Sequence, residues 1–555
     1  MNEQKTDALF TDGRAEVMPS CNYLTFTAEE DNASFSAVNQ TKKFPDLQYS
    51  LDKGVTWNAM KKNTPVVLKN KGDCAWLKGD NPEGFSKDLK KKSTSFVLTG
   101  RIAASGSVMS LIDGKGVAKV IPNDFCFARL FLHCAGLTQA PELPATTLSM
   151  GCYEGMFYEC SSLKQAPQLP ATILAKECYC GMFVECTSLT QAPELPATTL
   201  AEDCYYGMFS KCSCLKQAPQ LPAPTLAKAC YECMFEGCKS LTQAPELPAT
   251  KLEACCYWGM FGGCINLTRA PDLPATILAE DCYYGMFWKC KSLTQAPELP
   301  ATKLEACCYR DMFGGCINLT RAPDLPATIL ANRCYSGMFQ SCTNLTQAPQ
   351  LNAMTLDCFC CEEMFDGCSN LTQAPELPAT TLAQGCYYGM FKKCTSLTQA
   401  PELPATKLER ACYECMFEGC KSLTHAPELP ATKMAKECYL EMFYGCSSLK
   451  QAPQLPAAKL ADKCYAWMFR RCSSLTHAPV LPAKKLYTRC YAWMFQECVS
   501  LTQAPELPAT TLAVECYWGM FRECTGLVQI PSLPAATLAM DCYKEMFEGC
   551  TGLTG

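Results

Sequence analysis

Apolar residues return along most of the chain at a fixed interval of 26 residues. From Cys126 onward the pattern is C-Y-x-x-M-F-x-x-C-x-x-L-T-x-A-P-x-L-P-A-T-x-L-A-x-x, and its first cysteine recurs in seventeen copies that end with the copy from Cys542. Phenylalanine occupies the fifth position after that cysteine in every copy, from Phe131 to Phe547. So strict a period indicates one supersecondary unit that buries its apolar face only by stacking on its neighbours. The sequence therefore predicts a repeat solenoid over residues 121–555.

Each repeat has two halves with different patterns. In one copy Cys204, Met208 and Cys212 recur at intervals of four, which predicts one or two helical turns, with Gly207 limiting their length. The half L-T-x-A-P-x-L-P predicts extended chain, because a residue before proline avoids the helical region and proline lacks the N–H of a continuous ladder. We expect very short parallel bridges there, with both leucines and the first alanine pointing inward. The predicted fold class is an α/β repeat solenoid with short strands and short helices in each coil.

A different pattern precedes the repeats. Residues 19–120 contain strand-like runs at 23–27, 47–51, 64–68 and 95–99, separated by turn signals such as Asp52-Lys-Gly. This spacing predicts a small, all-β, sandwich-like domain, with residues 1–18 as a flexible N-terminal segment. The first repeat departs from the consensus after Cys126, as a capping repeat should. The last repeat stops at Gly555 without a polar cap, so this end could either associate with another molecule or fray.

Composition excludes several classes of function. The net charge of −5 and a pI near 5.6 predict no nucleic-acid binding, and no run of 18 apolar residues predicts membrane insertion. The polar N-terminus is unlike a secretory signal peptide, so the export route is open. No Ser/His/Asp set, glycine-rich phosphate loop or paired carboxylates emerge, and the acidic residues recur as a scaffold's do. We expect no enzyme activity, no cofactor and no metal site.

The 44 cysteines allow two structural interpretations. The eight-residue spacing of the two repeated cysteines is wider than zinc sites use. One alternative is a disulfide in every coil; the other is buried free thiols that act as small apolar residues. Eight residues of helix would separate the Cα atoms by about 12 Å, beyond the reach of a disulfide, and this favours free thiols. Candidates for exposed thiols lie outside the two columns: Cys214, Cys233, Cys255, Cys307, Cys358 and Cys415.

Two sets of residues are candidates for a binding face. Ten repeats carry an acidic residue directly after the first proline: Glu142, Glu194, Glu246, Asp272, Glu298, Asp324, Glu376, Glu402, Glu428 and Glu506. Stacked in one column, they would form either a docking stripe for a basic partner or cations, or simply a solvated face, which the repulsion of like charges favours. Arg269, Arg321 and Lys164 would partly neutralise the column. Five tryptophans stand at otherwise variable positions, where they would contact a partner or pack between coils: Trp258, Trp288, Trp467, Trp493 and Trp518.

The motif M-F-x-x-C-x-x-L-T-x-A-P-x-L-P resembles the pattern A-F-x-x-C-x-x-L-x-x-V-x-I-P of the Treponema-type leucine-rich repeat, found in BspA-like surface proteins of anaerobic gut and oral bacteria. The resemblance covers residues 126–555. Two features depart from it: the period is 26 rather than 23, and an extra residue with a proline lies in the strand. The first cysteine also stands where that family has isoleucine, which implies a buried position.

The resemblance implies a surface-exposed, non-enzymatic protein that binds host or bacterial surface proteins. We therefore expect an extracellular or cell-surface adhesion protein whose repeats present one long face to a protein partner. The alternative is a self-associating structural fibre or spacer on a cell surface or a virion. A sugar-binding role for the N-terminal domain is a third hypothesis.

Overall fold

The computed structural model describes residues 22–39, 44–86 and 93–553. The segment 1–18, expected to be flexible, lies outside these ranges. The strands are β1 (Leu24–Ala28), β2 (Ala33–Asn39), β3 (Gln48–Ser50), β4 (Asn58–Ala59), β5 (Val66–Leu68), β6 (Cys74–Lys78), β7 (Thr94–Thr99), β8 (Ile102–Ser105), β9 (Leu137–Gln139), β10 (Ile329–Leu330) and β11 (Thr355–Leu356). One helical turn, α1 (Ser110–Asp113), follows β8. No helix in the described ranges is both long and apolar enough to span a membrane.

Two sheets, in which only β9 belongs to the first repeat, share one apolar core. One has the order β4-β3-β6-β1-β8-β9 and the other the order β5-β2-β7. Side chains of β2 alternate between buried and half-buried, which is the pattern of a strand with one face on a core. Phe26 of β1 meets Phe35 of β2 and Phe96 of β7 edge-on, each with 5.1 Å between ring centroids. The two sheets therefore pack face to face around Phe26.

The cysteine half of each coil is a chain of tight turns, and the predicted helices are wrong. The Met156 N–H donates to the Tyr153 carbonyl at 3.1 Å, which places Gly155, with φ of +57°, at the third position of a turn, as a type II turn requires. Every second N–H bonds instead to the next coil, as Gly155 does to the Cys180 carbonyl at 2.8 Å. Positive φ recurs every fourth residue, so side chains four apart point the same way and imitate the helical spacing.

The proline half of each coil is extended, as predicted. Adjacent coils meet there mostly through single parallel bridges, such as those joining Gln165 to Gln191 and Gln191 to Gln217. In a representative coil Leu189 and Leu195 are buried, while Ala192 is half-buried against the core. The prolines keep the ladder from extending, because they have no N–H to donate.

The core of the solenoid consists of columns of identical side chains. Phe131 to Phe547 stack with centroids 5.4–5.7 Å apart and nearly parallel rings, and a parallel tyrosine column is interrupted only where Cys361 replaces tyrosine. The methionine and both cysteine columns are buried beside them. Each ring is covered by the rings of its two neighbours, so burial depends on stacking rather than on any single coil.

The β-sheets before the repeats cap this core by imitating a coil. The Phe96 N–H donates to the Leu130 carbonyl at 2.7 Å, just as the Phe131 N–H donates to the Met156 carbonyl one coil later. The Phe96 ring lies 5.6 Å from that of Phe131, and thus heads the phenylalanine column. In the same way Phe85 lies 6.5 Å from Phe127, above the tyrosine column. The first coil is therefore not exposed to solvent on this side.

Candidate interaction surfaces

The ten acidic residues that follow the first proline are all exposed in the structure: Glu142, Glu194, Glu246, Asp272, Glu298, Asp324, Glu376, Glu402, Glu428 and Glu506. We call them the acidic column. Four of them, from Glu246 to Asp324, belong to consecutive coils. The bridges just upstream hold the same repeat positions side by side, as between Gln243 and Arg269. The structure thus brings the predicted set together on one face.

Grooves between neighbouring coils run along this face. One groove of about 610 Å³ is lined by residues 243–248 of one coil and 269–274 of the next, and it contains Glu246 and Asp272. A second, of about 460 Å³, holds Glu142 against Pro167 and Pro170. Each groove has proline and alanine walls with a carboxylate at its rim. Such a surface can hold an extended chain by apolar contact and orient it by charge.

No member of the acidic column forms an ion pair in the part of the chain that the structure describes. The expected neutralisation by Arg269, Arg321 and Lys164 is not seen as direct pairing, although Arg269 lines the same groove as Asp272. Stacked like charges destabilise a sheet by a few tenths of a kcal/mol per pair. The column therefore costs some stability and gains none from internal partners.

Ion pairs concentrate instead on the turn half of the coils, where opposite charges stand one period apart. Lys211 pairs with Glu185 at 2.7 Å and Lys463 with Glu437 at 3.2 Å, each across 26 residues. Comparing the charge at equal positions of successive repeats would have predicted these pairs. Exposed pairs of this kind contribute little individually, but they give the turn side mixed charge that contrasts with the acidic column.

The five tryptophans do not form one surface. Trp258 packs on Tyr284 with 4.9 Å between centroids, and Trp288 is 43% exposed beneath the Lys289 ammonium. Trp467 and Trp493 stack at 4.7 Å, and Trp493 contacts Trp518 at 4.2 Å. The last three are half-buried and cover one another's faces. Packing between coils therefore explains them better than contact with a partner.

The second cysteine of every coil has a hydrogen-bonding role that the sequence did not reveal. The Cys160 thiol donates to the Phe131 carbonyl at 3.2 Å, and the same bond recurs in all seventeen coils at 2.9–3.2 Å. In the first coil the acceptor is the Phe96 carbonyl of the cap. Burial raises the pKa of the Cys186 thiol to about 12, so it stays protonated and can donate. The cysteines of the described ranges are unpaired, in agreement with the free-thiol interpretation.

The cysteines outside the two columns differ from the prediction in part. Cys214 is exposed, whereas Cys233, Cys255, Cys307 and Cys358 are half-buried. For Cys415 the prediction is wrong, since the residue is only 5% exposed. It stands where other coils carry glycine at positive φ, and the next coil covers it.

Cys415 is also part of the one described group whose geometry could hold a metal ion. Its thiol and the carboxylates of Glu418 and Glu441 lie within 4.8 Å of one another. Glu418, however, already pairs with the Lys392 ammonium at 2.7 Å. Burial raises the pKa of Glu441 and keeps the Cys415 thiol protonated. A cation would have to displace the lysine and the thiol proton, so these residues do not suit a metal.

Part of the solenoid matches a known repeat family. Residues 332–454 and 387–528 match the family model of the BspA type leucine-rich repeat region, counted in six copies. No curated protein and no solved structure matches. The matched residues lie wholly within the stacked coils, and the unmatched coils before residue 332 share their columns and hydrogen bonds.

Proposed function

Because the chain carries a solenoid of BspA-type leucine-rich repeats, we propose that it is a non-enzymatic adhesion protein outside the cell, which holds a protein partner along the groove face of its coils. The observation that carries this proposal is the acidic column, ten exposed carboxylates that have no ion-pair partner among the described residues. A partner's basic residues would pair with these carboxylates, which would speed association and fix the register of the partner. The partner is expected to present an extended segment with basic residues.

The long array of stacked coils supports this use. Repeat solenoids offer extended surfaces whose neighbouring units make similar contacts, so a partner can be held at many weak points at once. The proline and alanine walls of the grooves are preformed, and an extended segment would lose little free energy in ordering them. Binding of this kind needs no reacting group.

The test uses the full-length protein and a panel of purified host extracellular-matrix and bacterial surface proteins, immobilised for surface plasmon resonance. The column variant combines Glu246→Gln, Asp272→Asn, Glu298→Gln and Asp324→Asn. The matched control removes the same charge at four exposed acidic residues outside the column that form no ion pair in the described ranges: Glu280→Gln, Glu409→Gln, Asp462→Asn and Asp541→Asn. We expect saturable, salt-sensitive binding to a panel member, weakened more than about 10-fold in the column variant and unchanged in the control.

Equal binding by both variants, or no binding to any panel member, would contradict the proposal. Light scattering over a concentration series on the same samples addresses the fibre alternative. Growth of the particle with concentration would favour a structural fibre, and a constant particle size favours the adhesion protein.

A further inference from the structure

A second charged column has the opposite sign. Lysine is the third residue after the second proline in four consecutive coils, at Lys407, Lys433, Lys459 and Lys485, and all four side chains are exposed. We call them the lysine stripe. A parallel bridge makes Lys433 and Lys459 direct neighbours. Identical charges opposite each other on neighbouring strands are destabilising, so the stripe is not explained by folding.

The same position is neutralised in earlier coils. Lys251 pairs with Glu253 and Lys303 with Glu305, each at 3.3 Å. For three lysines of the stripe the residue two places on is uncharged: Ala435, Ala461 or Tyr487. Glu409 follows Lys407, but no ion pair of the four lysines occurs in the described ranges. Lys485 alone has an aromatic neighbour, the Tyr487 ring at 5.6 Å. The stripe therefore has cations that lack the ion pairs formed at this position in the earlier coils.

The surrounding charge changes in the same direction. Residues 407–489 contain 13 Lys and Arg against 7 Asp and Glu, in a chain whose net charge is −5. Within this segment the acidic column is interrupted, because Gln454 and Val480 stand where its carboxylates would be. A local positive field of this kind attracts polyanions and raises their rate of encounter.

We propose that the lysine stripe binds a linear sulfated polysaccharide that lies along the solenoid axis. The stripe is one residue wide and spans about 15 Å over three coil steps, which suits a single narrow chain with regularly spaced anionic groups. Glu402, Glu409 and Glu428 lie close to it in sequence and would repel the second strand of a duplex. The faces of Trp467 and Trp493 cover each other, so they offer no platform for nucleic-acid bases.

This site occupies a different position within each coil from the acidic column and has the opposite charge, so its partner belongs to another chemical class. A sulfated polysaccharide on the stripe and a basic protein segment on the column could be held at the same time. The two proposals therefore stand or fall independently.

The experiment measures the affinity of the full-length protein for heparin, the sulfated polysaccharide used as probe, by isothermal titration calorimetry at two salt concentrations. The test variant is Lys433→Gln with Lys459→Gln. The matched control, Lys251→Gln with Lys303→Gln, removes two lysines from the same column where each has a glutamate partner. We expect heparin binding that is weakened about 20- to 30-fold in the test variant and less than 3-fold in the control.

Three results would overturn the proposal: no binding of heparin, equal losses in the two variants, or binding of a single-stranded DNA oligonucleotide or phosphatidylserine vesicles as tight as that of heparin. Thermal unfolding of both variants checks that they fold. Stronger binding of heparin than of unsulfated hyaluronan would support the assignment to sulfate.

Discussion

Replacing Gly207 tests the turn architecture of the coils through a single backbone angle. Gly207 has φ of +57°, and a Cβ atom built on it would meet nothing within 4 Å. Any loss of stability on adding a side chain therefore comes from the left-handed backbone rather than from a clash. The equivalent glycines and their neighbours at four-residue intervals share this angle along the whole solenoid.

The expected costs follow from the preferences of each residue in that conformation. Gly207→Ala should lower the free energy of unfolding by about 1 kcal/mol, since a Cβ makes left-handed backbone unfavourable. Gly207→Asn should cost less, because asparagine adopts this region more readily. Gly207→Val should cost more, about 2–3 kcal/mol, because a β-branched side chain suits it least.

Urea denaturation followed by circular dichroism measures the series. The turn architecture predicts the order glycine, asparagine, alanine, valine, from most to least stable. If the alanine variant were as stable as the wild-type protein, or the valine variant as stable as the alanine variant, residue 207 would not have positive φ. A helix at this position would give the contrary result, since alanine and valine both favour helix over glycine.

Three further predictions concern the cap, the thiols and pH. Phe96→Ala should lower the free energy of unfolding, measured by urea denaturation, by about 3–5 kcal/mol, because it removes the first ring of the phenylalanine column. The control Val97→Ala, on the exposed face of β7, should lower it by under about 0.5 kcal/mol. Similar losses in the two variants would refute the capping role. Alkylation without reductant, followed by mass spectrometry, should label Cys214 first and the column cysteines only in denaturant, whereas disulfides in the denatured protein would contradict the thiol ladder. Burial raises the pKa of Glu232 to about 7, so the folded state holds that proton more tightly and stability falls as pH rises from about 4.5 to 7. Glu232→Gln should therefore raise the melting temperature more at pH 8 than at pH 5, and an equal gain at both would count against this.

The solenoid was predictable from sequence because the members of every buried column recur at intervals of 26 residues. The burial of Leu189 and Leu195 and the single-residue bridges follow from two prolines in an extended segment. These features depend on the local chemistry of each repeat, and every copy of the repeat favours the same backbone conformation.

The helices were predicted wrongly because two structures share one apolar spacing. Cys204, Met208 and Cys212 are four residues apart, as on a helix, but turns with positive φ at every fourth residue also bring them to one side. A signal was present: no Val, Ile or Thr occupies any of these positive-φ positions in the seventeen repeats. β-Branched residues are common in helices and strands alike, so their absence at a four-residue interval indicates left-handed backbone.

The cap and the pairing state of the charged columns could not be predicted from the repeat period, each for a different reason. Phe96 lies outside the repeats, so no period connects it with Phe131. The period of the acidic column predicts that its members lie on one face. It does not predict that they lack ion pairs, because that depends on the orientation of side chains such as Arg269. The lysine stripe is recognised only when three of its coils, which lack a glutamate two residues after the lysine, are compared with the coils that carry Glu253 and Glu305.

The central claim is that each coil is held by its neighbours, and deleting one period tests it directly. Removal of residues 282–307 deletes one 26-residue period and joins Asp281 to Cys308, so every column should close up again. Removal of residues 282–294 deletes half a period and sets turn halves against proline halves. Thermal unfolding should show a cooperative transition close to that of the full chain for the first variant, and a loss of folded signal for the second. Equal stability of the two variants would show that the coils do not depend on stacking in register.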